Sequence, residues 1–562
     1  MKKLVVDVLE KALKKKELKI SREQIESKIE VPPNIEMGDY AFPCFFLAEK
    51  LKQDPHQIAL LIRNKIQTPA ATDFDDITVA GPYINFFLDR KNMARKVVWE
   101  AITKKKDYGK SNLGKKQKIV VEFSSPNIAK PFGIGHLRST IIGNSIANIS
   151  EFIGYKVYKL NYFGDWGTQF GKILFGYNKF GNDKTLLKDP LKHLLNVYVK
   201  ANRKIYDPGS REWFKKLENK DRKAMMLWKI FREKSMKEFG IIYKELGIKF
   251  NYYDAESLHN KGMQEVMQEL TKKELLKKSK GALIVDLSKE NLGVSLIKKS
   301  DGTTLYATRD LAAAIARYKK YKFNKMIYEV GQEQTLYFKQ LFKVLELMGY
   351  GWAKNCLHVD HGLYLDKKGK KFATRKGKTF FLKDILKDTI ELAKKEIQIR
   401  TKKISKTELE KRAKKIAVAA IFYGDLKNHR RNNIVFDLKK FVSFEGDTGP
   451  YILYSYARAS SIIRKSGEPG KFQIYDLEKK EIELAKKISQ FQDTVVKGFN
   501  SMAPSLIANY CYELSKIFNE FYHSSPVIGS KEESFRLALV EAFKQTLKNA
   551  LTLLGIETLE EM

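Results

Sequence analysis

The succession of strand, helix and strand between Ile119 and Tyr162 is the sequence feature that most restricts the fold. Hydrophobic, β-favouring residues cover Ile119–Phe123 and again Lys156–Tyr162, and each run reads as a strand. Between the runs, an isoleucine stripe at helical spacing predicts a helix through Ile142, Ile146, Ile149 and Ile153. Two strands joined by a helix within about 45 residues predict a parallel βαβ unit. The chain is therefore expected to contain an α/β domain built on a parallel sheet.

The rest of the 562-residue chain differs in pattern on the two sides of this unit. Residues 1–110 mix amphipathic helices with an alternating strand and are predicted to form a small α+β domain. Residues 115–400 carry the βα alternation, interrupted at about 185–290 by a charged, mainly helical insertion. Residues 401–562 are almost wholly helical in pattern and predict a separate all-α domain.

Several classes of protein are excluded by composition. The longest apolar run, Ile416–Tyr423, is far shorter than the ~18 residues of a membrane span. The start of the chain lacks a secretory signal because Asp7 and Glu10 interrupt its apolar stretch. Three scattered cysteines form neither a disulfide framework nor a thiolate zinc site. We expect a cytoplasmic protein without a membrane partner.

The charge balance favours a polyanionic partner. The chain has 104 Lys and Arg against 66 Asp and Glu, a formal net charge of +38. Lysine and arginine that neutralise phosphates supply most of the non-specific affinity for nucleic acid. Much of the excess is lysine in helical stretches such as 401–415, which also suits a solvated helix face.

Two segments have the composition of phosphate-binding loops. Residues 131–139 place Gly133 and Gly135 between the first strand and its helix, where a helix N-terminus presents unpaired N–H groups to an anion. Residues 367–378 contain seven basic and no acidic side chains, and such a loop can neutralise charge that develops in phosphoryl transfer. Taken singly, the first segment also suits a tight βα turn and the second a solvated loop.

Together the two segments resemble the paired signatures of the class I aminoacyl-tRNA synthetases. Five longer motifs are similar in order and content to the arginyl-tRNA synthetases, and these motifs are Glu122–Pro131, Gly164–Gly171, Gly302–Asp310, Phe444–Tyr451 and Leu553–Glu557. The resemblance extends from Gly38 to the last residue.

This resemblance implies a Rossmann-type catalytic domain with an insertion, an N-terminal tRNA-binding domain and a C-terminal helical anticodon-binding domain. The implied reaction joins L-arginine and ATP, with Mg²⁺, to arginyl-adenylate and then transfers arginine to tRNA(Arg). In this family the activation step depends on tRNA. No structural metal is expected, and we expect a monomer.

The resemblance also assigns residues. Matching positions for arginine are Glu122, Asn127, Tyr306, Asp310 and Gln334; for ATP they are Lys130, Gly133, Gly135, His136, Lys371, Thr374 and Arg375. Catalysis is assigned to Lys130, His136 and Lys371, and tRNA binding to Tyr522 and Met562. The residue types assigned to arginine suit its side chain, because a guanidinium with five donors needs carboxylates and planar acceptors. Taken alone, Asp310 also suits a solvent-facing carboxylate at a helix start.

A cluster of Cys356, His358 and His361 is close enough in sequence to suggest a metal site. Their alternation along a predicted strand favours structural roles instead.

The sequence departs from the family pattern in both signatures. Gly133 replaces the first histidine, and Lys371–Arg375 lacks the second lysine and the serine. In arginine enzymes a lysine matching Lys130 takes over from the lost one. The alternatives that remain are a catalytically impaired tRNA-binding homologue and another class I synthetase, although the carboxylates suit a cationic substrate.

Overall fold

A computed structural model describes residues 2–14, 20–66, 73–299, 306–370, 381–401 and 403–562, except for the side chains at 35 and 306. The chain divides into two compact units. The first unit comprises residues 1–108, 458–491 and 514–547, and the second comprises 109–457, 492–513 and 548–562. The three predicted domains divide the chain by sequence whereas the units divide it by spatial contact, so the predicted boundaries stay a prediction.

The strands within these ranges are β1 (Tyr40–Pro43), β2 (Phe74–Ala80), β3 (Tyr83–Leu88), β4 (Lys118–Glu122), β5 (Lys156–Phe163), β6 (Tyr252–Ala255), β7 (Lys277–Ser279), β8 (Ala282–Asp286), β9 (Val294–Lys298), β10 (Lys325–Gly331), β11 (Cys356–His361), β12 (Tyr364–Leu365) and β13 (Ile434–Val435).

The α-helices of the described residues are α1 (Lys2–Lys14), α2 (Arg22–Lys28), α3 (Phe45–Leu51), α4 (Pro55–Lys65), α5 (Arg90–Lys104), α6 (Ile134–Phe152), α7 (Thr168–Phe180), α8 (Asp183–Lys188), α9 (Pro190–Ala201), α10 (Asp207–Glu218), α11 (Arg222–Glu245), α12 (Gly262–Lys272), α13 (Tyr306–Tyr321), α14 (Thr335–Leu347), α15 (Leu382–Arg400), α16 (Lys406–Leu426), α17 (Leu438–Val442), α18 (Gly449–Ser466), α19 (Lys479–Ser489), α20 (Phe491–Asn500), α21 (Ser505–Ser524) and α22 (Glu533–Leu553). None of them is both long and apolar enough to cross a bilayer.

The second unit is built on a five-stranded parallel sheet in the order β11-β10-β4-β5-β6. The predicted βαβ unit is β4, α6 and β5, which confirms the parallel sheet. From β4 the chain adds strands on one side through β5 and β6, and on the other side through β10 and β11. Ligands of open α/β sheets bind where the strand order reverses in this way, at the carboxyl ends of the strands. The carboxyl ends of β4 and β10 therefore mark the expected position of a site.

The central helix α6 approaches the sheet very closely. A Cβ atom at Gly143 would lie 2.2 Å from the Cβ of Phe123, so only glycine allows this helix to pack so near β4. Most residues of α6 are buried, including Arg138, Ser139 and Thr140. A helix surrounded in this way holds its N-terminal turn in a fixed position.

The segment between β5 and β10 holds the predicted insertion. Helices α7 to α11 follow β5, then β6 returns to the central sheet, and β7, β8 and β9 form a small antiparallel sheet. The predicted range 185–290, expected to be mainly helical, also includes β6, β7 and β8, and β9 lies just beyond it.

The first unit combines the antiparallel sheet β1-β3-β2 with helices from both ends of the chain. One of its fully buried charges is Asp39, which has no solvent exposure. The Lys486 ammonium lies 3.0 Å from this carboxylate, and the backbone N–H of Leu88 donates to it over 3.0 Å. The Tyr108 hydroxyl donates to the carbonyl of Ile488 over 3.1 Å. These contacts join residues 1–108 to helix α19.

Arg536 supplies a second buried charge cluster in the first unit. Its Nε donates to Glu481 over 2.7 Å, and both side chains are almost completely buried. We expect Arg536→Met to lower the free energy of unfolding by about 3–5 kcal/mol, because the Glu481 carboxylate is left buried without its partner. Urea denaturation followed by circular dichroism measures the change.

The matched control is Arg400→Met, which removes an exposed ion pair with Glu396 on helix α15. This control should cost no more than about 1 kcal/mol. Equal losses in the two variants would contradict a special role for the buried pair.

Candidate active site

A cavity of about 530 Å³ opens at the carboxyl ends of the central strands. Its lining includes four carboxylates and one guanidinium, namely Glu122, Glu256, Asp310, Glu333 and Arg317. The aromatic side chains of Tyr162, Tyr328, Tyr337 and Phe338 form much of the remaining wall. Carboxylates in excess beside aromatic faces suit a cationic ligand.

Four of the five residues predicted to bind arginine line this cavity: Glu122, Asn127, Asp310 and Gln334. The fifth, Tyr306, begins helix α13, and its side chain lies outside the described residues. The structure thus brings together positions that lie more than 200 residues apart in the sequence.

Arg317 gives the cavity a guanidinium of its own. Its Nη1 atom lies 2.5 Å from Oε2 of Glu122, and its Nη2 atom lies 3.1 Å from Asp254. The guanidinium lies 4.4 Å from the ring centroid of Tyr162, a cation–π distance. Burial raises the pKa of Glu122, and Arg317 opposes this effect. The Glu122 carboxylate therefore already has a cationic partner within the protein.

Asp310 forms no ion pair with any Lys or Arg side chain in the part of the chain that the structure describes. The hydroxyl of Tyr162 donates to its Oδ1 over 3.2 Å, and the hydroxyl of Tyr337 donates to Oδ2. Burial raises the pKa of Asp310, although the hydrogen bond from Tyr337 opposes the shift. Two tyrosine hydroxyls therefore fix the orientation of this carboxylate toward the cavity.

Glu256 is a second lining carboxylate that forms no ion pair with any of the described residues. Its Oε2 accepts the backbone N–H of Trp166 over 3.1 Å. Burial raises the pKa of Glu256 to about 7, with Arg309 lowering it and Asp310 raising it. A buried carboxylate that is hard to ionise becomes easy to ionise when a cation enters beside it.

The loop after β4 has an unusual backbone. Ser124, Ser125 and Ala129 all have positive φ angles, of 74°, 42° and 59°. Left-handed conformations of this kind carry a cost and persist where surrounding contacts fix them. Here the Ser124 N–H donates to the hydroxyl of Ser139 over 3.0 Å, and the Ala129 N–H donates to that of Ser235 over 2.8 Å. Buried hydroxyl groups thus hold the loop that carries Asn127 and Lys130.

Gln169 connects two predicted site residues. Its Nε2 donates to Oδ1 of Asn127 over 3.2 Å, and its Oε1 accepts from Nζ of Lys130 over 2.8 Å. Gly164 lies so close to Asn127 that a Cβ atom there would be 2.1 Å from Oδ1. A single amide thus links Asn127, which is predicted to bind arginine, to Lys130, which is predicted to bind phosphate.

The glycine turn that was predicted to bind phosphate forms the N-terminus of α6. Gly133 is the N-cap residue, with φ of −91°, and its N–H donates to Nδ1 of His136 over 3.3 Å. Burial, with a contribution from Lys130, lowers the pKa of His136 to about 4. His136 is therefore neutral at pH 7 and carries its proton on Nε2. Gly135, in the first turn of α6, is exposed.

Of the basic segment 367–378, only residues 367–370 belong to the described part of the chain. Lys371, Thr374 and Arg375 lie outside the described residues. The chain is described again from Phe381, which pairs with Gly133 in an antiparallel bridge. The N–H of Leu382 donates to the carbonyl of Phe132 over 3.0 Å.

The two residues predicted to contact tRNA belong to different units. Tyr522, on α21 in the first unit, is 39% exposed, and the guanidinium of Arg458 lies 4.8 Å from its ring centroid. Met562 is the partly exposed last residue of the second unit.

The histidines near Cys356 have partners within the protein. His361 pairs with Glu329 at 2.8 Å, and Nε2 of His358 lies 3.0 Å from the carbonyl oxygen of Val330. Within the described ranges, no group of three or more His, Cys, Asp or Glu side chains is placed to hold a metal ion.

Sequence reasoning missed Glu256, Arg317 and Gln169. Glu256 follows the four-residue strand β6, inside the range predicted as an insertion. Gln169 lies in the motif Gly164–Gly171, which carried the resemblance but received no role. Their side-chain types gave a weak signal, because only the fold brings Glu256 and Arg317 to the cavity and Gln169 beside Asn127.

Family models match most of the chain. Residues 97–438 match the model described as tRNA synthetases class I (R), catalytic domain. Residues 1–88 match the arginyl tRNA synthetase N terminal domain, and residues 452–562 match the DALR anticodon binding domain.

Known proteins are similar over the full length. The arginine–tRNA ligase of Ligilactobacillus salivarius is 42% identical over 572 residues, covering 99% of both chains. That of Clostridium perfringens is also 42% identical and covers 100% of both. The solved arginyl-tRNA synthetase of Thermus thermophilus has the same fold, with a TM-score of 0.85 at 24% identity over 100% of both chains. The chain therefore belongs to the arginyl-tRNA synthetase family, within class I of the aminoacyl-tRNA synthetases.

Proposed function

We propose that this protein activates L-arginine with ATP to arginyl-adenylate and then transfers arginine to tRNA(Arg). The observation that carries the proposal is the cavity at the sheet switch point, where carboxylates outnumber the single guanidinium. The relatives named arginine–tRNA ligases, similar over the whole chain, support the same reaction. Nothing in the site or among these relatives favours the catalytically impaired alternative.

The arginine side chain is proposed to enter between Asp310 and Glu256. Among the described residues neither carboxylate forms an ion pair, whereas Glu122 is already paired with Arg317. A guanidinium donates in a planar fork and therefore recognises two carboxylates better than an ammonium does. Glu122 then acts by fixing Arg317, while Asn127, Tyr306 and Gln334 are proposed to contact the remaining polar atoms of arginine.

ATP is proposed to bind beside the N-terminus of α6, as its magnesium complex. Lys130 supplies the positive charge there, because His136 is neutral and contributes an Nε2–H donor. The backbone of Gly133 and Gly135 borders this turn. Lys371, Thr374 and Arg375 are proposed to approach the phosphates from the basic loop.

The chemistry needs no enzyme nucleophile. A carboxylate oxygen of arginine attacks the α-phosphorus of ATP, and pyrophosphate leaves on the opposite side. In the second step a terminal ribose hydroxyl of the tRNA attacks the activated carbonyl, and AMP leaves. The protein contributes by positioning the reactants and by stabilising negative charge on the phosphoryl oxygens.

The proposal also covers the contacts with tRNA, the oligomeric state and cellular location, and the dependence of activation on tRNA. Tyr522 and Met562 are proposed to contact tRNA, because an exposed aromatic ring beside a guanidinium can stack on an unpaired base. The enzyme is proposed to work as a monomer in the cytoplasm. Activation is proposed to require tRNA, whose binding completes the site by induced fit.

The central test is ATP–pyrophosphate exchange with each amino acid, with and without tRNA. We expect exchange with arginine when tRNA(Arg) is present and little without it. Asp310→Asn should raise the arginine KM steeply, since loss of one partner of a desolvated ion pair costs about 3–5 kcal/mol. Aminoacylation of tRNA(Arg) by the same proteins measures the second step.

The matched control is Asp388→Asn, which changes an exposed carboxylate on α15. It should keep the normal KM. Exchange with another amino acid, or no exchange in any mixture, would refute the function; a normal KM for Asp310→Asn would refute only the pocket.

The pKa of Glu256 predicts how arginine binding depends on pH. Because its pKa is raised to about 7, Glu256 is mostly protonated at pH 6 and must lose that proton when arginine binds. The arginine KM should therefore fall by about tenfold from pH 6 to pH 8 and level off above that. Glu256→Gln should have a higher KM at pH 8 and a shallower pH dependence, which is not abolished because the pKa of Glu122 in the same cavity is also raised to about 7. A full pH dependence in this variant would assign the titration to another group.

The missing histidine at position 133 gives a further prediction. A Cβ atom at Gly133 would meet no heavy atom within 4 Å, and its φ is negative, so Gly133→His carries no backbone cost. This variant should keep or increase the kcat of exchange. Lys130→Ala should lower kcat by about 10²–10³, as expected for one preorganised donor. Lys192→Ala, an exposed lysine on α9, is the control. An inert natural protein that Gly133→His restores would instead favour the impaired homologue.

A further inference from the structure

A second cavity, of about 450 Å³, lies on the flank of α6 in the second unit. It shares no lining residue with the cavity described above. Four lysines line it, Lys159, Lys249, Lys415 and Lys548, together with one carboxylate, Glu557. If all five are ionised, the cavity carries three net positive charges.

Only one of these lysines has an anionic partner among the described residues. The ammonium of Lys415 lies 3.1 Å from Glu557. Lys159, Lys249 and Lys548 have no carboxylate within 4 Å in the described part of the chain. The local charge excess is thus concentrated on three side chains that surround one space.

The environment of Lys159 distinguishes this cavity from an ordinary lysine-rich surface. Its Nζ donates to Oδ1 of Asn148 over 2.6 Å and to Oδ1 of Asn144 over 3.2 Å. Burial lowers the pKa of Lys159, so its charge is costly where it lies. Two neutral amides hold a cation that no carboxylate of the described residues approaches within 4 Å.

The wall of the cavity is fixed by contacts to the end of helix α22. The Ser145 hydroxyl donates to the carbonyl of Leu553 over 3.0 Å, and Nδ2 of Asn148 donates to that of Thr552 over 3.2 Å. Gly555 has φ of +77°, and a Cβ atom there would lie 2.7 Å from Nδ2 of Asn144. The amides that hold Lys159 are thus part of a packed junction.

We propose that this cavity binds a phosphate group. Lysine ammonium groups act as compact point charges for phosphate, and three of them match a doubly charged anion. The cavity volume leaves room for the phosphate and for a part of the molecule that bears it. The phosphate belongs either to a small phosphorylated compound or to the backbone of an RNA. Bound there, it would restore a counter-charge to Lys159.

Residue-resolved acylation of lysines, read by mass spectrometry, tests the proposal on the full-length protein. Modification rates are measured with sodium phosphate against sodium chloride of equal ionic strength, and separately with tRNA. We expect one of the two probes, phosphate or tRNA, to slow modification of Lys159, Lys249 and Lys548 several-fold. The control is Lys354, which is exposed and lines no part of this cavity, and whose rate should be unchanged by phosphate.

The double variant Lys249→Ala/Lys548→Ala keeps the buried Lys159 and its asparagines, and so preserves the fold. If the bound phosphate belongs to a small compound, sodium phosphate slows acylation of Lys159 in the natural protein. In the double variant this protection is at least tenfold weaker. If the source is RNA, tRNA rather than phosphate protects these lysines, and the salt slope of tRNA binding falls by about two in the variant.

No protection of Lys159 by either probe would overturn the proposal. So would equal protection of Lys354, because that result indicates general screening. Failure here leaves the arginine reaction untouched, since arginine-dependent exchange is measured at the other cavity.

Discussion

The buried ion pair between Arg317 and Glu122 determines the character of the central cavity. Glu122 ends β4, the middle strand of the sheet, and Arg317 reaches it from α13. Truncation of either partner would leave the other charged group buried and unpaired. Because Arg317 neutralises Glu122, the proposal assigns the binding of the substrate cation to Asp310 and Glu256. In that proposal, Glu122 shapes the cavity and the other two carboxylates bind.

A second constraint is the strained loop between β4 and α6. Its three left-handed residues place Asn127 and Lys130 on one turn, and Gln169 then joins the two side chains. Arginine and ATP must meet with their reacting atoms aligned, and preorganised groups supply much of the rate in such reactions. The free-energy cost of the strained backbone is offset because the loop holds these side chains in the orientation that the reaction needs.

Much of the fold could be predicted from the sequence, because the βαβ pattern of 119–162 has few structural solutions. The arginine-side positions followed from motifs that resemble a family, and the structure places Glu122, Asn127, Asp310 and Gln334 around one cavity. The positions in the basic loop and the tRNA contacts stay predictions. Arg317 and Glu256 could not be predicted, since an arginine inside an arginine site and a glutamate inside a supposed insertion have no signature of their own. Their roles arise only when β6 and α13 meet at the sheet.

The internal guanidinium of Arg317 has a consequence for how the protein is made. Each new copy receives arginine at position 317 from a charged tRNA, the product of the reaction proposed for this family member. A lysine inserted there in error would lack the planar fork that reaches Glu122 and Asp254 together. Faults in charging would therefore damage the charging enzyme itself. The integrity of the cavity therefore depends on accurate translation at the single position 317.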